Sequence, residues 1–338
     1  HHSFNFCDAI SLENLLMAWQ EFKKGKSSKS DVSQFEINLE NNLFGLHNLL
    51  ASGKWKPDPY KEFPVHDPKP RKIHKASVRD RVLYQAVYRV LYQIFDLNFI
   101  FHSYSSRNSK GIYAGIYSLE KYIKKTSKNH SKICHILKCD IRKFFDSIDH
   151  IILFNLISKK ITDRNLLLLT KQIICSFEKT NGKGLPLGNV TSQLFSNIYL
   201  NELDQYVKHN LRAGCYVRYC DDFVIVSDSR IFLDDCLGKI KIFCKEKLLV
   251  DIHPCKIIFR KSRQGMDFLG YVMLPHRRVL RTKTKNRMLK KLTNLKELFD
   301  KGLVEKEYLE QVVQSYLGLL SHCKSENVIQ QIERIFWD

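Results

Sequence analysis

The sequence lacks several features that would place it in common protein classes. No uninterrupted apolar run reaches the roughly 18 residues that a membrane-spanning helix needs, and there is no signal-peptide pattern. The ten cysteines are scattered, without a Cys-x-x-Cys pair or a Cys/His spacing typical of zinc sites. We therefore expect a cytoplasmic protein with reduced thiols, no membrane partner and no appended zinc-type endonuclease domain.

Acidic residues are scarce relative to basic ones. The 338 residues include 55 Lys and Arg but 35 Asp and Glu, which gives a formal net charge of +20. This surplus predicts an anionic partner, and nucleic acid and an anionic membrane surface both satisfy it. Hydrophobic residues make up 44% of the chain, which at this length is enough to bury a large core.

Two of the few acids stand side by side. Asp221 and Asp222 follow Tyr219 and Cys220, between the strand-like stretches 216–218 and 223–226. The pattern predicts a β-hairpin with both carboxylates at its tip. Adjacent carboxylates repel each other unless a cation shares their charge, and hard oxygen ligands suit Mg²⁺. For an isolated pair of acids, an ordinary Asp-rich turn is the alternative.

A third acid, Asp140, ends a strand-like stretch that begins at Ile136. Polymerases need carboxylates from two chain segments to hold two metal ions about 3.5–4 Å apart. Asp140, combined with the two acids of the predicted hairpin, meets that need. Asp146 and Asp149 follow the strand end, and we interpret them as residues that start or cap a helix.

These motifs resemble those of reverse transcriptases, in the same order, over roughly residues 60–275. Asp140 corresponds to the family's first catalytic aspartate, and residues 219–222 correspond to its Tyr-x-Asp-Asp box. The resemblance implies an α+β right-hand polymerase fold with fingers, a palm with an antiparallel sheet and a short helical thumb. It also implies an RNA template, a DNA or RNA primer, dNTPs and two Mg²⁺ ions, the latter bound by Asp140, Ile141, Asp221 and Asp222.

The motif order divides the chain into four predicted regions. Residues 1–60 form an N-terminal helical extension, 61–135 the fingers, 136–271 the palm with the catalytic centre, and 272–338 a helical thumb. A basic run from Arg277 to Lys291 contains no acid. It predicts phosphate contacts along a template–primer duplex, with a solvated basic helix face as the alternative.

The resemblance also implies a set of nucleotide contacts, at Arg71, Arg79, Ile141, Phe145, Leu187, Gly188 and Tyr219. Arg71 and Arg79 are candidates for clamping the triphosphate, because guanidinium forks match phosphate oxygens. A solvated basic face is the alternative. Phe145 corresponds to the aromatic steric gate, a ring under the sugar C2′ that leaves no room for a 2′-hydroxyl. A plain core phenylalanine is the alternative there.

Template and primer contacts are implied at Arg107, Lys110, Gln193, Leu269, Gly270 and Tyr271. Arg107 is expected to contact the templating nucleotide and Lys110 a backbone phosphate, while Gly270 allows close packing of the primer in the family's primer grip. Lys256 corresponds to a lysine near the leaving pyrophosphate and is a candidate general acid. A simple surface lysine is the alternative.

Two departures from the common family pattern point to a subgroup. Leu187 stands where most reverse transcriptases have Gln, and Ser192-Gln193 stands where intron-encoded enzymes usually have Ser-Pro. Both resemble the bacterial and phage reverse transcriptases of diversity-generating retroelements, which copy RNA with frequent errors opposite adenine. A branched apolar side chain cannot hydrogen-bond the nascent pair as Gln does, which predicts looser nucleotide positioning. A neutral substitution is the alternative.

Enzymes of that subgroup act with a structured template RNA and a small basic oligomeric accessory protein, and the resemblance implies both partners here. The sequence after the predicted thumb is too short for RNase H, a maturase tail or an endonuclease, so we expect a stand-alone enzyme. A related antiphage-defence reverse transcriptase is the second hypothesis. A catalytically idle RNA-binding scaffold is the third, and the intact aspartates and Phe145 argue against it.

Overall fold

The computed structural model describes residues 4–65 and 71–337, which form an α+β fold with antiparallel sheets. The helices are α1 Phe6–Ile10, α2 Leu12–Lys23, α3 Ser30–Ile37, α4 Leu39–Ala51, α5 Val78–Phe95, α6 Ile112–Thr126, α7 Phe144–Ser147, α8 His150–Ser158, α9 Arg164–Ile174, α10 Val190–Gln205, α11 Arg230–Lys247, α12 Thr282–Asp300, α13 Lys306–Leu320 and α14 Glu326–Trp337. The strands are β1 Lys61–Val65, β2 Arg71–Lys75, β3 His135–Asp140, β4 Tyr216–Tyr219, β5 Asp222–Ser227, β6 Ile258–Lys261, β7 Met266–Phe268, β8 Tyr271–Leu274 and β9 Arg277–Leu280.

The N-terminal residues form four helices before the first strand, as the apolar spacing predicts. In α2, the buried residues Leu15, Ala18, Trp19 and Phe22 recur at helical spacing and lie on one face. Ser11 caps this helix by accepting a hydrogen bond from the Asn14 amide. The helix packs against α5, so the N-terminal extension shares a core with the region expected to form the fingers.

Strands β1 and β2 form an antiparallel hairpin that leads into α5. Ser77 caps the N-terminus of this helix, since its side chain accepts a hydrogen bond from the Asp80 amide. Asp80 is fully buried and accepts bonds from the Trp55 indole and the Asp58 amide. These local bonds fix the base of the hairpin against the body of the protein.

The central sheet has the order β4-β5-β3-β6, and every neighbouring pair is antiparallel. Alternate side chains of its strands enter two different cores. In β5, Phe223 and Ile225 join a core with α8–α11, whereas Val224 and Val226 join a core with α6 and the C-terminal helices. Because both faces are covered, β5 is apolar without interruption from Phe223 to Val226 rather than alternating with polar residues.

A second sheet, β7-β8-β9, follows the central one and continues across residue 272, where the predicted thumb begins. The helical part of that region therefore starts at Thr282. Tyr271 ties the two parts together, since its hydroxyl donates to the Leu319 carbonyl oxygen over 2.8 Å. Of the helices in the described chain, none is both long and apolar enough to cross a membrane.

Candidate active site

The adjacent aspartates lie at a tight turn between β4 and β5, as the sequence predicts. Cys220 in this turn has φ of 55°, a left-handed conformation that non-glycine residues seldom adopt. Asp222 is the first residue of β5, and its Cα pairs with that of Asp140, the last residue of β3. The register thus brings the three predicted catalytic carboxylates to one end of the sheet.

A buried arginine holds the turn in place. Arg218 is fully buried and bonds both carboxylate oxygens of Asp204, at 2.7 and 2.6 Å. It also donates to the Cys220 carbonyl oxygen at 3.0 Å, to Asn197 at 3.1 Å and to the Ser103 hydroxyl at 3.0 Å. One guanidinium therefore links the catalytic turn to helix α10 and to the loop before α6, which limits movement of the aspartates.

Crowding of negative charge changes the acidity of the site. Burial, reinforced by repulsion from Asp140 and Asp222, raises the pKa of Asp221 to about 6. Burial also raises the pKa of Asp222, although the positive charge of Lys138 opposes this change. The carboxylates are thus held together at an electrostatic cost that a bound cation would reduce.

Two lysines lie against the carboxylates. The Lys256 Nζ donates to Asp140 Oδ1 over 2.5 Å, and the Lys138 Nζ lies 3.7 Å from Asp222 Oδ1. Lys256 sits on a short 3-10 turn, Pro254–Lys256, and its side chain is 43% exposed. The prediction that places Lys256 near the reacting groups agrees with this position, while its role as a general acid stays a prediction.

The chemistry of these residues fits a hard divalent cation. Their oxygens are the ligands that Mg²⁺ prefers, and their mutual repulsion favours a cation between them. Over residues 4–65 and 71–337, no three acidic, histidine or cysteine side chains are already close enough to form a metal site. The carboxylates would therefore have to turn away from the lysines to bind an ion. Ile141 is buried and its side chain is a hydrocarbon without a ligand atom, so the predicted metal contact would be made by its backbone carbonyl oxygen.

Phe145 lies on α7, the short helix that follows the catalytic strand. Its ring is half-buried, packs edge-on against Phe144 at 5.6 Å and contacts the main core. Its carbonyl oxygen accepts a bond from the Leu185 amide at 2.8 Å, which ties the helix to the loop before α10. The ring is thus both partly exposed and part of the core, and its steric-gate role stays a prediction.

The loop before α10 faces the β1–β2 hairpin. Leu187 is half-buried and lines a cavity of about 260 Å³ with Lys72, His74, Asp146, Phe177, Lys179 and Leu185. Gly188 has φ of 111°, and a Cβ built there would lie 3.5 Å from the Ile73 side chain. Glycine therefore suits this loop by its backbone conformation, while a Cβ there would make only an ordinary contact with the hairpin.

The predicted triphosphate clamp is only partly described. Arg71 begins β2, but its side chain lies outside the described part of the structure. Arg79 bonds the Lys56 carbonyl oxygen at 2.8 Å and lies 2.9 Å from Asp58 and 3.0 Å from Asp80. A triphosphate would have to compete with these carboxylates for Arg79, and both contacts stay predictions.

The Arg107 guanidinium bonds acceptors in the neighbouring residues 96–103 and does not point freely towards a template. Its side chain is 7% exposed and bonds the Asp96 carboxylate at 2.6 Å and two carbonyl oxygens, of Ile100 and Ser103. The expected contact with a templating nucleotide conflicts with this arrangement, because these acceptors already occupy the guanidinium. The structure assigns Arg107 a bracing role in the described conformation.

The other predicted template contacts are more accessible. The Lys110 Nζ donates to the Phe101 carbonyl oxygen and lies 3.3 Å from the centre of the Phe101 ring. Gln193, on the first turn of α10, is exposed and accepts a bond from the Ser106 hydroxyl at 2.8 Å. Both remain predictions for template binding.

The predicted primer grip is the turn between β7 and β8. Leu269 and Gly270 have φ of 50° and 93°, and a Cβ on Gly270 would meet no atom within 4 Å, so the turn is open on that side. Tyr271 is different, since its ring is 1% exposed and its hydroxyl bonds Leu319. The Tyr271 ring therefore anchors the C-terminal helices, and the predicted primer contact of this residue stays a prediction.

Tyr219 ends β4 beside the turn, half-buried, and burial raises its pKa. The interpretation of Asp149 as a helix cap is confirmed, because its carboxylate accepts bonds from the Ile151 and Ile152 amides. Sequence reasoning missed the roles of Arg218 and Lys138. The available signal was a basic residue inside an apolar strand, since a buried cation requires an acidic partner.

Known proteins resemble the chain over most of this region. A family model described as "Reverse transcriptase (RNA-dependent DNA polymerase)" matches residues 61–273. This stretch runs from the β1–β2 hairpin to β8 and contains the predicted catalytic aspartates. The α+β architecture described above is the right-hand polymerase fold that the sequence predicts for such a family.

Curated relatives include a putative COX1/OXI3 intron 2 protein of Saccharomyces cerevisiae, 23% identical over 326 residues, which covers 76% of this chain and 37% of the relative. Another is the group II intron-encoded protein LtrA of Lactococcus lactis, 24% identical over 327 residues, covering 73% and 52%. Protein YkfC of Escherichia coli is 24% identical over 276 residues, covering 69% and 71%. This chain thus spans between 37% and 71% of the lengths of these three relatives.

Among solved structures, an apo telomerase from Candida tropicalis is similar with a TM-score of 0.49 and 14% sequence identity, covering 69% of this chain and 59% of that one. Similarity at this level adds nothing to the family match.

Proposed function

The chain belongs to the reverse transcriptase family, and on this premise we propose that it is an RNA-directed DNA polymerase. The observation that carries the proposal is the pairing of Asp140 with Asp222 across β3 and β5, with Asp221 in the adjoining turn. Two strands and one turn thereby present three carboxylates at a common end of the sheet. Nucleotidyl transfer needs this concentration of negative charge to retain its metal ions.

In this proposal Asp140, Asp221 and Asp222 hold two Mg²⁺ ions, with the backbone of Ile141 nearby. When bound, such ions activate the primer 3′-hydroxyl and offset the charge of the leaving pyrophosphate. Arg218 keeps the turn in position through the Cys220 carbonyl oxygen. Lys256 and Lys138 neutralise the carboxylates until a cation takes their place.

We further propose an error-prone role of the kind found in diversity-generating retroelements. Leu187 supports it, since this apolar side chain lines the cavity beside the β1–β2 hairpin and offers no hydrogen bond to a nucleotide. The template RNA and the small basic accessory protein belong to the same proposal, as does a cytoplasmic location. An antiphage-defence role rests on the same catalytic residues and differs in its RNA and its product.

Primer extension on a defined RNA template, with dNTPs and Mg²⁺, tests the polymerase. We expect extension by the wild-type chain and loss of at least about 10³-fold in rate for Asp221→Asn/Asp222→Asn, because the remaining carboxylate cannot hold the ions. Melting temperature and RNA binding of the variant serve as controls. Absence of wild-type extension with and without a small basic partner, but with RNA binding retained, would favour the scaffold hypothesis.

Sequencing of the products tests the error-prone role. We expect substitutions concentrated opposite template adenines, and fewer of them in Leu187→Gln, whose amide restores a hydrogen-bonding group at this position. Leu187→Met, which stays apolar at similar volume, is the matched control and should keep the wild-type spectrum. Accurate synthesis by the wild type would contradict this part of the proposal and favour another lineage.

A further inference from the structure

A second concave site lies where α6, the β8–β9 hairpin and the connection from α13 to α14 meet. It encloses a cavity of about 870 Å³, and we name it the basic pocket. Its positively charged or titratable basic residues are Lys121, Lys124, His130, His276, Arg277, Arg278, His322 and Lys324. The acids of its described lining are Glu120 and Glu326, so positive charge dominates.

The basic pocket lies away from the catalytic carboxylates. Strand β3 starts at His135, shortly after the pocket residue His130, and ends at Asp140. Its six residues span roughly 20 Å, at about 3.3 Å per residue. Likewise, β8 runs from the turn at Gly270 into the pocket wall, which it reaches at Met273, roughly 10 Å along the strand. The basic pocket is therefore about one length of β3 from the catalytic turn, but it lies close to the predicted primer grip.

The buried bases of this pocket are incompletely satisfied. The Arg278 side chain is 11% exposed, and its Nη1 has no hydrogen-bond partner among the described residues. Its Nε lies 3.4 Å from Glu120 Oε1 without forming a hydrogen bond. The buried Nδ1 of His130 also has no partner within the described chain, but burial and the nearby positive charge of Lys124 lower the pKa of this ring, so we do not count it as a donor. An anion entering the pocket would supply the acceptor that the Arg278 guanidinium lacks.

Flat rings accompany the positive charges. His322 stacks on Tyr113 with ring centres 3.5 Å apart, and its Nδ1 lies 3.1 Å from the Tyr117 hydroxyl. The Arg278 guanidinium lies 4.6 Å from the centre of the Tyr117 ring, which is part of a side chain that is 48% exposed. Sites for single-stranded nucleic acid combine these elements, basic groups for the phosphates and rings for the bases. A lipid headgroup would leave the rings unused.

We propose that the basic pocket binds the phosphodiester backbone of a single-stranded RNA segment that lies outside the catalytic cleft, with Tyr117 as a stacking surface for a base. The proposal rests on the proposed function only in taking RNA as the template. It adds an anchoring site that retains the template away from the point of synthesis. Arg277 and Lys324 are exposed at this site and are the residues expected to meet the phosphates first.

Charge reversal tests this assignment. The variant is Arg277→Glu/Lys324→Glu, and the matched control is Lys245→Glu/Lys247→Glu, which makes the same change of charge at the exposed end of α11. Binding of a labelled single-stranded RNA of about 20 nucleotides is measured by anisotropy between roughly 50 and 200 mM salt. We expect the pocket variant to bind about tenfold more weakly, with a salt slope shallower by about 1.4 for two lost phosphate contacts. The control should keep the wild-type slope.

Equal weakening of both variants would overturn the proposal, since it would show that only net charge matters. Arg277→Gln/Lys324→Gln, together with melting temperatures, guards against misfolding and should give an intermediate loss of binding. Sedimentation with phosphatidylserine vesicles tests the alternative that the pocket binds an anionic membrane surface. Loss of vesicle binding in the pocket variant with unchanged RNA affinity would assign the pocket to a membrane surface and also overturn the proposal.

Extension of a short, pre-annealed primer–template separates this inference from the proposed function. For this test the variant is Lys124→Glu/Lys324→Glu, two exposed pocket residues outside the basic run from Arg277 to Lys291. At saturating substrate it should extend at the wild-type rate, because its changes lie away from the carboxylates and from that run. A large fall in that rate would place the pocket in the catalytic machinery and contradict the proposal. If the wild type does not extend at all, the polymerase assignment fails, while the anisotropy comparison still decides whether the pocket binds RNA.

Discussion

Two arginines with little or no exposure to solvent differ in how many of their donors are hydrogen-bonded. Arg218 lies on β4 of the central sheet and Arg278 on β9 of the second sheet. Arg218, beside the catalytic turn, is fully buried and has bonds to five acceptors, including both oxygens of Asp204. Arg278, in the basic pocket, has one near carboxylate and a nitrogen with no partner among the described residues. A satisfied buried charge fixes geometry, whereas an incompletely satisfied one is available to a ligand.

The strongest test of this contrast is Arg218→Met. We expect a loss of about 3–5 kcal/mol in the free energy of unfolding, because Asp204 is left buried without its partner. Denaturant titration measures the change. The double variant Arg218→Met/Asp204→Leu should recover part of the stability but not primer extension. The Cys220 carbonyl oxygen still lacks the hydrogen bond that Arg218 donates in the wild type. Recovery of both would mean that Arg218 has no positioning role.

An intermediate effect on the free energy of unfolding is expected when the pH is changed, through the titration of Asp221 beside the same turn. The pKa of Asp221 is about 6 in the folded chain against an ordinary value of 3.8, so the native state binds this proton more tightly than the unfolded state. The free energy of unfolding should therefore fall as pH rises from about 4 to about 6, by at most about 3 kcal/mol. Urea titrations in chelator should show this fall, and Asp221→Asn should reduce it.

Asp228→Asn is the matched control, because Asp228 is exposed at the other end of β5. It should leave the pH dependence unchanged. An Asp221→Asn variant with the full wild-type pH dependence would show that the crowding of carboxylates does not act through Asp221.

The smallest effect should come from Arg278→Gln. Its ion pair with Glu120 is long and partly exposed, so we expect a loss of about 1 kcal/mol or less in the free energy of unfolding. RNA affinity should also fall, and by more than the small increase in unfolded protein would account for. Thermal or denaturant unfolding measured beside Arg218→Met provides the comparison. Equal destabilisation by the two variants would erase the distinction between the two arginines.

Much of the local structure was predictable because it depends on neighbouring residues. The helical spacing of Leu15 and Trp19 predicts α2, and the apolar stretches around Asp221 and Asp222 predict the β4–β5 hairpin. The motif order likewise predicts the α+β class and the family, both of which are confirmed. Positions of the three aspartates followed from these local patterns.

Contacts between distant segments were not predictable. The motifs predict nucleic-acid contacts at Arg107 and Tyr271, which stay predictions, but they do not predict that Arg107 bonds Asp96 or that the Tyr271 ring packs under the C-terminal helices. They place Lys256 near the reacting groups but do not predict its bond to Asp140, 116 positions away in the chain. The type of a side chain determines which groups it can bond, and the fold determines which of those groups lie within reach.

The sequence by itself thus determined the family, the α+β class and the candidate catalytic aspartates, because periodicity and short motifs act over a few residues. Tertiary structure decided that Arg218 holds the turn through Asp204, and that three separate segments form the basic pocket. The physical reason is that burial and charge pairing depend on which surfaces meet when the sheets and helices pack, and no local pattern encodes that meeting.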